Sequence, residues 1–82
     1  MTKKELIERI AELDSIASKA EAGRILEMIT TTIATELVAG NEVQISGFGK
    51  FYKLSPTEGK NAGKNFAKFR PAAGLKRAVE GV

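Results

Sequence analysis

The stretch Ser46-Gly47-Phe48-Gly49-Lys50-Phe51 decides how this chain folds. Two glycines flank Phe48, and glycine is the residue that accepts a positive φ or a close approach of another backbone. A phenylalanine held between them can enter a core, and glycine-containing turns of this kind join antiparallel strands. The stretch therefore predicts a β-hairpin anchored by an aromatic side chain.

Strand signals extend from this turn in both directions. Before it, Val43 and Ile45 alternate with polar residues, which is the period of a strand with one buried face. After it, residues 51–52 continue as a second strand. The segment 56–65 contains proline and two glycines and interrupts regular structure, and residues 66–69 predict a third strand.

Two helices precede the strands. Thr2 with Glu5 forms a capping box ahead of an apolar pattern of helical spacing, which predicts a first helix over about residues 3–13. Ser18 with Glu21 forms a second capping box and opens a longer pattern. Helical structure is therefore predicted for most of the first half of the chain.

The ends of the remaining helices are marked by glycine and proline. The second helix runs to about Ala39, because Gly40 suits the left-handed position that follows a helix. Pro71 suits the first turn of a short helix through about Glu80. The order of two helices, three strands and one helix predicts an α+β fold in a single domain. We divide it into a helical dimerisation base, a β-segment with a short arm, and a C-terminal helix, over residues 1–40, 41–70 and 71–82.

The chain is too short to build a large core of its own. It has 82 residues, of which 43% are hydrophobic, and no cysteine, so disulfides cannot supply the missing stability. The apolar face of the second helix is broader than the first helix can cover, and we expect it to meet a second copy of the chain. Gly23 in that helix indicates either a closely approaching helix or a tolerated surface glycine. Dimer contacts are assigned to Ile25, Ile29, Ile33 and Leu37.

Charge is distributed unevenly along the chain. Residues 1–46 carry 5 Lys/Arg and 8 Asp/Glu, whereas residues 47–82 carry 8 and 2. A strongly basic half is typical of proteins that bind something anionic. Histidine and cysteine are absent, the acids fall mostly on solvent faces of helices, and the glycines form no phosphate loop. We expect no enzymatic activity, cofactor, metal or small-molecule substrate.

The sequence also bears on the cellular compartment. No apolar run approaches the roughly 18 residues that span a bilayer. The N-terminal residues 1–4 lead into a charged amphipathic pattern and not into the apolar region of a signal peptide. We therefore expect a soluble, intracellular protein without a membrane partner.

Several motifs together resemble the HU/IHF family of nucleoid-associated, histone-like DNA-binding proteins. The resemblance covers nearly the whole chain in the family's order, and its segments are 1–7, 22–26, 43–51, 68–71 and 75–76. It implies an intertwined homodimer, with a heterodimer also possible, in which helices form a base and two sheets form a basic saddle for double-stranded DNA. A β-arm rises from each subunit. It also implies a cytoplasmic, nucleoid-associated protein encoded by a bacterium or a phage.

The resemblance assigns roles to particular side chains. Lys3 and Lys76 would contact phosphates on the body of the protein, and Arg70 would bind DNA near the base of the arm. Ser46 and Gly47 would offer hydroxyl and amide donors. Core anchors would be Phe48, Phe51 and Phe69. On charge, strand position or place in the arm, we add Lys50, Lys53, Lys60, Asn61, Lys64, Lys68 and Arg77 to the DNA-binding set.

The arm departs from the family pattern. Only 17 residues, Tyr52 to Lys68, stand where the family has a longer stretch. Removing about five residues from each strand, at roughly 3.3 Å per residue, shortens the reach by about 15 Å. Ala62 follows Asn61 where family arms carry a proline that inserts between base pairs, and Ala73 stands in place of a family lysine. We therefore expect binding largely without sequence preference and only weak bending.

Two alternatives remain open. The chain could be an HU-fold dimerisation or protein-interaction module, such as a heterodimer partner with little DNA binding of its own. It could instead bind single-stranded DNA or RNA, with Tyr52 and Phe66 as stacking surfaces. Packing within the fold also accounts for both aromatic residues.

Overall fold

The structure is a computed structural model that describes residues 1–81. Its elements are α1 (Lys3–Ala11), α2 (Lys19–Val38), β1 (Val43–Ile45), β2 (Gly49–Leu54), β3 (Phe66–Pro71) and α3 (Ala73–Glu80). The predicted α+β fold and its order of elements are confirmed. The chain forms two compact units, Met1–Thr32 and Ile33–Val82. Among the described residues, no helix is both long and apolar enough to cross a membrane.

Side-chain caps begin the first two helices. Thr2 Oγ1 accepts a hydrogen bond from the backbone N–H of Glu5 at 3.2 Å, and Ser18 Oγ accepts one from Glu21 at 3.1 Å. The Glu21 carboxylate in turn accepts from the backbone N–H of Ala17 at 2.8 Å. Each cap satisfies a backbone donor that the helix leaves unpaired and contributes about 1 kcal/mol. Both predicted capping residues are confirmed.

A glycine motif ends α2. Gly40 has φ 87°, and its N–H donates to the carbonyl of Leu37 at 3.0 Å. The next N–H, of Asn41, donates to the carbonyl of Glu36 at 2.9 Å. This pair of bonds is a Schellman motif, which needs a left-handed residue after the helix. The predicted role of Gly40 is confirmed, while α1 ends at Ala11, two residues before its predicted end.

Few side chains are buried within one chain. The buried hydrophobic residues of the described chain are Ala22, at 0% exposure, and Leu26, at 9%. A Cβ placed on Gly23 would lie 3.7 Å from Ile7 Cδ1, which is an ordinary van der Waals distance. A neighbouring helix therefore does lie beside Gly23, but not so closely that an alanine would be excluded.

The three strands form one antiparallel sheet in the order β1-β2-β3. Val43 pairs with Phe51, and Phe51 pairs with Phe69. Paired residues point to the same side of a sheet and alternate residues to opposite sides. The sheet thus has an aromatic face, consisting of Val43, Ile45, Gly49, Phe51, Lys53, Ala67, Phe69 and Pro71. Its cationic face consists of Gln44, Lys50, Tyr52, Leu54, Phe66, Lys68 and Arg70.

The two glycines of the hairpin serve different purposes. Gly47 has φ 77° in the turn, where the Phe48 N–H donates to the Ile45 carbonyl at 3.0 Å. Gly49 is needed for space, because a Cβ there would lie 2.5 Å from the Phe69 ring and 2.6 Å from the Arg70 carbonyl oxygen. The predicted hairpin is confirmed, together with both reasons for its glycines.

Three phenylalanine rings cluster beside the hairpin. The ring centroids of Phe51 and Phe69 are 4.8 Å apart, and that of Phe48 is 5.3 Å from Phe69. Tilted pairs at these distances add to the stability gained from burial. Phe48 and Phe69 nevertheless remain 44% and 40% exposed in the single chain. The cluster is assembled within one chain but not covered by it.

The start of the last helix was predicted wrongly. Pro71 is the final residue of β3, where it pairs with Gly49, and α3 begins at Ala73. Because β3 is an edge strand, a proline there can lack a backbone donor without breaking a ladder bond. The Ala72 N–H then donates to the Phe48 carbonyl at 2.9 Å, which continues the pairing one residue further.

Candidate nucleic-acid interface

The cationic face concentrates three predicted DNA-binding side chains. Lys50 pairs directly with Arg70, and Lys68 lies two residues before Arg70 on the same strand. Like charges placed directly opposite each other destabilise a sheet. A bound anion would offset this repulsion. The side chains of Lys68 and Arg70 are both exposed, so an anion in solution can reach them.

One carboxylate reduces the positive charge of this face. Glu42 Oε2 lies 3.4 Å from Lys50 Nζ, which is the only salt bridge among residues 1–81. Surface pairs of this kind contribute about 0–1 kcal/mol and are screened by salt. The positive charges of Lys68 and Arg70 are left without such a counterion in the described chain.

Aromatic rings alternate with the cations on this face. Lys50 Nζ lies 5.8 Å from the ring centroid of Tyr52, and Lys68 Nζ lies 5.7 Å from that of Phe66. Both distances are within the range of a cation–π contact. Both rings are half-buried. The face therefore presents cations and apolar rings side by side.

The hairpin turn borders the same face. Ser46 and Gly47 line a shallow hollow together with Lys50, Arg70 and Gln44. The hollow thus joins hydroxyl and backbone N–H donors to two cations, which are the groups that bind phosphate oxygens. Gln44 was not predicted as a site residue. The alternation along β1 could have indicated that Gln44 lies on the face opposite to Val43 and Ile45. Its pairing with Lys50 is visible only in the structure.

The arm is a closed loop of residues 55–65 beyond the last pair of the β2–β3 ladder. The Gly63 N–H donates to the Pro56 carbonyl at 3.3 Å, and Ser55 Oγ donates to Asn65 Oδ1 at 2.8 Å. Two further turns inside the loop are closed by backbone hydrogen bonds of 3.1 Å. The Ala62 N–H donates to the Gly59 carbonyl, and the Lys64 N–H donates to the Asn61 carbonyl. The exposed predicted residues of this loop are Lys60, Asn61 and Lys64.

Three of the other predicted cations lie on helices, and one lies on the aromatic face. Lys76 and Arg77 are exposed on α3, and Lys3 is the exposed first residue of α1. Lys53 lies on the aromatic face and lines an apolar hollow with Leu37. The structure therefore brings Ser46, Gly47, Lys50, Lys68 and Arg70 together, but Lys53 points away from them.

Within residues 1–81, no three of the possible metal-ligating side chains of His, Cys, Asp and Glu converge on one point.

Comparisons with known proteins agree with this geometry. A family model described as "Bacterial DNA-binding protein" matches residues 1–80. DNA-binding protein HU of Thermotoga maritima is 37% identical over 91 positions, which cover 98% of this chain and 100% of the relative. At least nine of those positions have no residue in this chain of 82. Integration host factor subunit beta of Shewanella sp. (strain ANA-3) is 35% identical, covering 100% and 98%.

A solved structure extends the similarity to three dimensions. The cocrystal structure of Anabaena HU with DNA matches with a TM-score of 0.79 and 26% identity. The match covers 96% of this chain and 97% of the Anabaena chain.

Proposed function

The chain belongs to the bacterial DNA-binding protein family of HU and integration host factor, and on this premise we propose that it is a dimeric architectural protein of the bacterial nucleoid. It is a DNA-binding protein and not an enzyme. Its ligand is double-stranded DNA, which it binds through phosphates, largely without sequence preference and with weak bending.

The cationic face is the observation that supports this proposal most strongly. Phosphate contacts supply most of the affinity of sequence-independent binding, because neutralising phosphates releases condensed counterions. Lys50, Lys68 and Arg70 share one face of a sheet, beside donors from the Ser46-Gly47 turn. These contacts carry no information about base sequence.

Exposed apolar side chains support the dimer. Ile29, Phe48 and Phe69, all predicted to pack, are 47%, 44% and 40% exposed in the single chain. Burying an apolar side chain is worth about 1.5–3 kcal/mol. A second copy of the chain would supply this burial, and we propose that no folded monomer is appreciably populated. Light scattering at micromolar concentration should give a dimeric mass, whereas a folded monomer would contradict the proposal.

The compact arm supports weak bending. Bending a site of 20 to 30 base pairs by 40–90° costs about 1–6 kcal/mol and must be offset by new contacts. The 55–65 loop carries two lysines and Glu58, so it can make only a few contacts to phosphates, and salt screens these contacts. It also lacks a proline wedge at its tip, where Ala62 follows Asn61.

Fluorescence anisotropy with two unrelated duplexes tests the binding itself. The logarithm of the affinity should fall linearly with the logarithm of salt concentration, by about 0.9 per phosphate contact, and equally for both sequences. Replacing Arg70 and Lys76 by alanine should lower the affinity for both duplexes and reduce this slope. A dimer that fails to bind either duplex at low salt would contradict the proposal.

Energy transfer between the ends of a labelled duplex tests the bending separately. The end-to-end distance in the complex should stay close to that of free DNA, and nicked duplexes should bind little better than intact ones. A strong preference for nicked DNA that disappears when Asn61 and Ala62 are changed to glycine would show that the short tip inserts.

A heterodimer partner is the second candidate function, and the name of the Shewanella relative favours it. That protein is described as a subunit, beta, of integration host factor. In this case the purified chain would bind duplex DNA weakly, and adding a full-length HU would yield a mixed dimer of higher affinity. Strong salt-dependent binding by the chain alone favours the first function.

A further inference from the structure

Each of the two surfaces that a second copy would cover carries a charged side chain. Glu36 lies in α2, three residues after Ile33 and seven after Ile29, so helical spacing places it on the same side of the helix as these apolar residues. Lys53 lies in β2, two residues after Phe51, on the aromatic face of the sheet. A dimer that buries both surfaces therefore removes a carboxylate and an ammonium group from water.

The two charges are not paired within one chain. The only salt bridge among residues 1–81 involves neither of them. Glu36 Oε2 instead accepts a hydrogen bond from Asn41 Nδ2 at 3.1 Å. Lys53 is exposed and lines an apolar hollow with Leu37, the residue that follows Glu36. Both side chains thus lie near the C-terminal end of α2 and are free to meet a group from another chain.

Burial makes an unpaired charge costly, whereas an ion pair can be accommodated. Removing one partner of a buried pair is strongly destabilising, because the other charge is left uncompensated. A homodimer with a twofold axis forms every contact twice, with the same residues exchanged between the chains. One contact between the carboxylate of one chain and the ammonium group of the other would therefore satisfy all four charges of the dimer.

Glu36 is the acid of α2 that is best placed for this contact. Glu27 is exposed and lies six residues before Ile33, which places it about 120° away around the helix. The carboxylate of Glu21 is held in the capping bond with the Ala17 N–H at 2.8 Å. Glu36 alone among the three combines a position beside the apolar residues with a half-buried side chain near Lys53.

We propose that Lys53 of one chain forms an ion pair with the partner's Glu36, and that this pair determines which chains dimerise. The inference rests on the proposed function, since it presupposes the dimer. A chain with an apolar residue or a like charge at either position would leave a buried charge unpaired, and such mismatches discriminate between partners. The pair therefore favours the homodimer over a mixed dimer with a related chain.

Complementary charge reversals test the pairing between chains. Lys53→Glu and Glu36→Lys each place like charges opposite one another in a homodimer, whereas a mixed dimer of the two variants restores both pairs. The variants are unfolded in urea, refolded together and examined by native mass spectrometry. Mixed dimers should exceed the random proportion by at least about tenfold, including the case in which neither variant folds alone. Random pairing would overturn the proposal.

A matched control separates the ion pair from net charge. Lys60→Glu mixed with Glu27→Lys changes the charge of each chain by the same amounts, at exposed positions away from both surfaces. These two variants should pair at random. Equal enrichment of mixed dimers in the control would overturn the proposal, because attraction between oppositely charged chains would then explain the pairing.

The double variant distinguishes a pair between chains from one within a chain. A chain with both reversals should form homodimers that melt at the same temperature as the wild-type dimer. It should nevertheless pair with wild-type chains at least about tenfold less often than at random, because each mixed interface places like charges together. Free mixing with the wild-type chain would overturn the proposal, since a pair closed within one chain does not select its partner.

These measurements fail separately from the proposed function. A folded wild-type monomer, or a wild-type dimer that does not bind duplex DNA, overturns the proposed function. Random pairing of variants that still dimerise overturns the ion pair alone. Because both residues lie off the cationic face, the dimer of the double variant should keep the salt slope of duplex binding. A reduced slope in that dimer would contradict the assigned role, since these residues would then contact DNA.

Discussion

The two faces of the sheet have different roles, because one carries packed aromatic rings and the other carries cations. The aromatic face carries Phe51 and Phe69, whose ring centroids are 4.8 Å apart and whose apolar surface is stabilised by burial. The cationic face carries Lys50 opposite Arg70, a pairing of like charges that weakens the sheet and that Glu42, 3.4 Å from Lys50, relieves only in part. Strand alternation keeps the two roles apart, so that changes on one face should affect stability and changes on the other should affect binding.

The largest expected effect lies on the aromatic face. In the proposed dimer, where a second chain covers the ring, Phe69→Ala should lower the free energy of unfolding by about 3–5 kcal/mol, because it removes a ring that contacts two others and leaves a cavity. Urea denaturation followed by circular dichroism measures this. The neighbouring Lys68→Ala should change stability by less than about 0.5 kcal/mol. Equal effects of the two changes would show that the two faces do not have separate roles in stability and binding.

A smaller loss of stability is expected at the glycine beneath the same ring. Gly49→Ala should cost about 1–3 kcal/mol, because its Cβ would overlap both the Phe69 ring and the Arg70 carbonyl. The matched control is Gly23→Ala, where the new Cβ meets only an ordinary contact. That change should raise stability by about 0.5–1 kcal/mol through helix propensity. Thermal denaturation compares the two, and a neutral Gly49→Ala would show that the close packing is not required.

A small gain in affinity is expected when the one carboxylate beside the cationic face is neutralised. Glu42→Gln removes the carboxylate 3.4 Å from Lys50 and should raise affinity for duplex DNA a few-fold, in line with an exposed pair worth about 0–1 kcal/mol. Glu27→Gln on α2 is the matched control, since it changes the net charge equally and leaves Lys50 paired. Anisotropy at low salt measures both. Equal gains would mean that only net charge matters, and not this ion pair.

Much of this molecule was predictable because its signals are local. Caps at Thr2 and Ser18 and the Schellman glycine Gly40 depend on a few neighbouring residues, and the structure has all three. The hairpin was predictable for the same reason, since its glycines and alternating strands are contiguous.

The remaining features depend on pairing between distant residues. Pro71 was assigned to a helix because its sequence neighbours do not reveal its pairing with Gly49. That pairing is set by the register between β2 and β3, and the 11-residue loop that joins these strands does not fix the register. Lys53 was grouped with the other lysines by charge, although strand alternation places it on the other face of the sheet from Lys50. Charge composition identified the basic half of the chain, but only the register showed which cations share a face.

The salt dependence of duplex binding in two alanine variants shows directly whether the cationic face binds DNA. If the cationic face binds DNA, replacing Lys68 and Arg70 should reduce the slope of log affinity against log salt by about 0.9 for each lost phosphate contact. Lys53→Ala, on the aromatic face, should leave the slope of the wild-type dimer unchanged. A slope that falls in Lys53→Ala and persists in the double variant would contradict DNA binding by the cationic face.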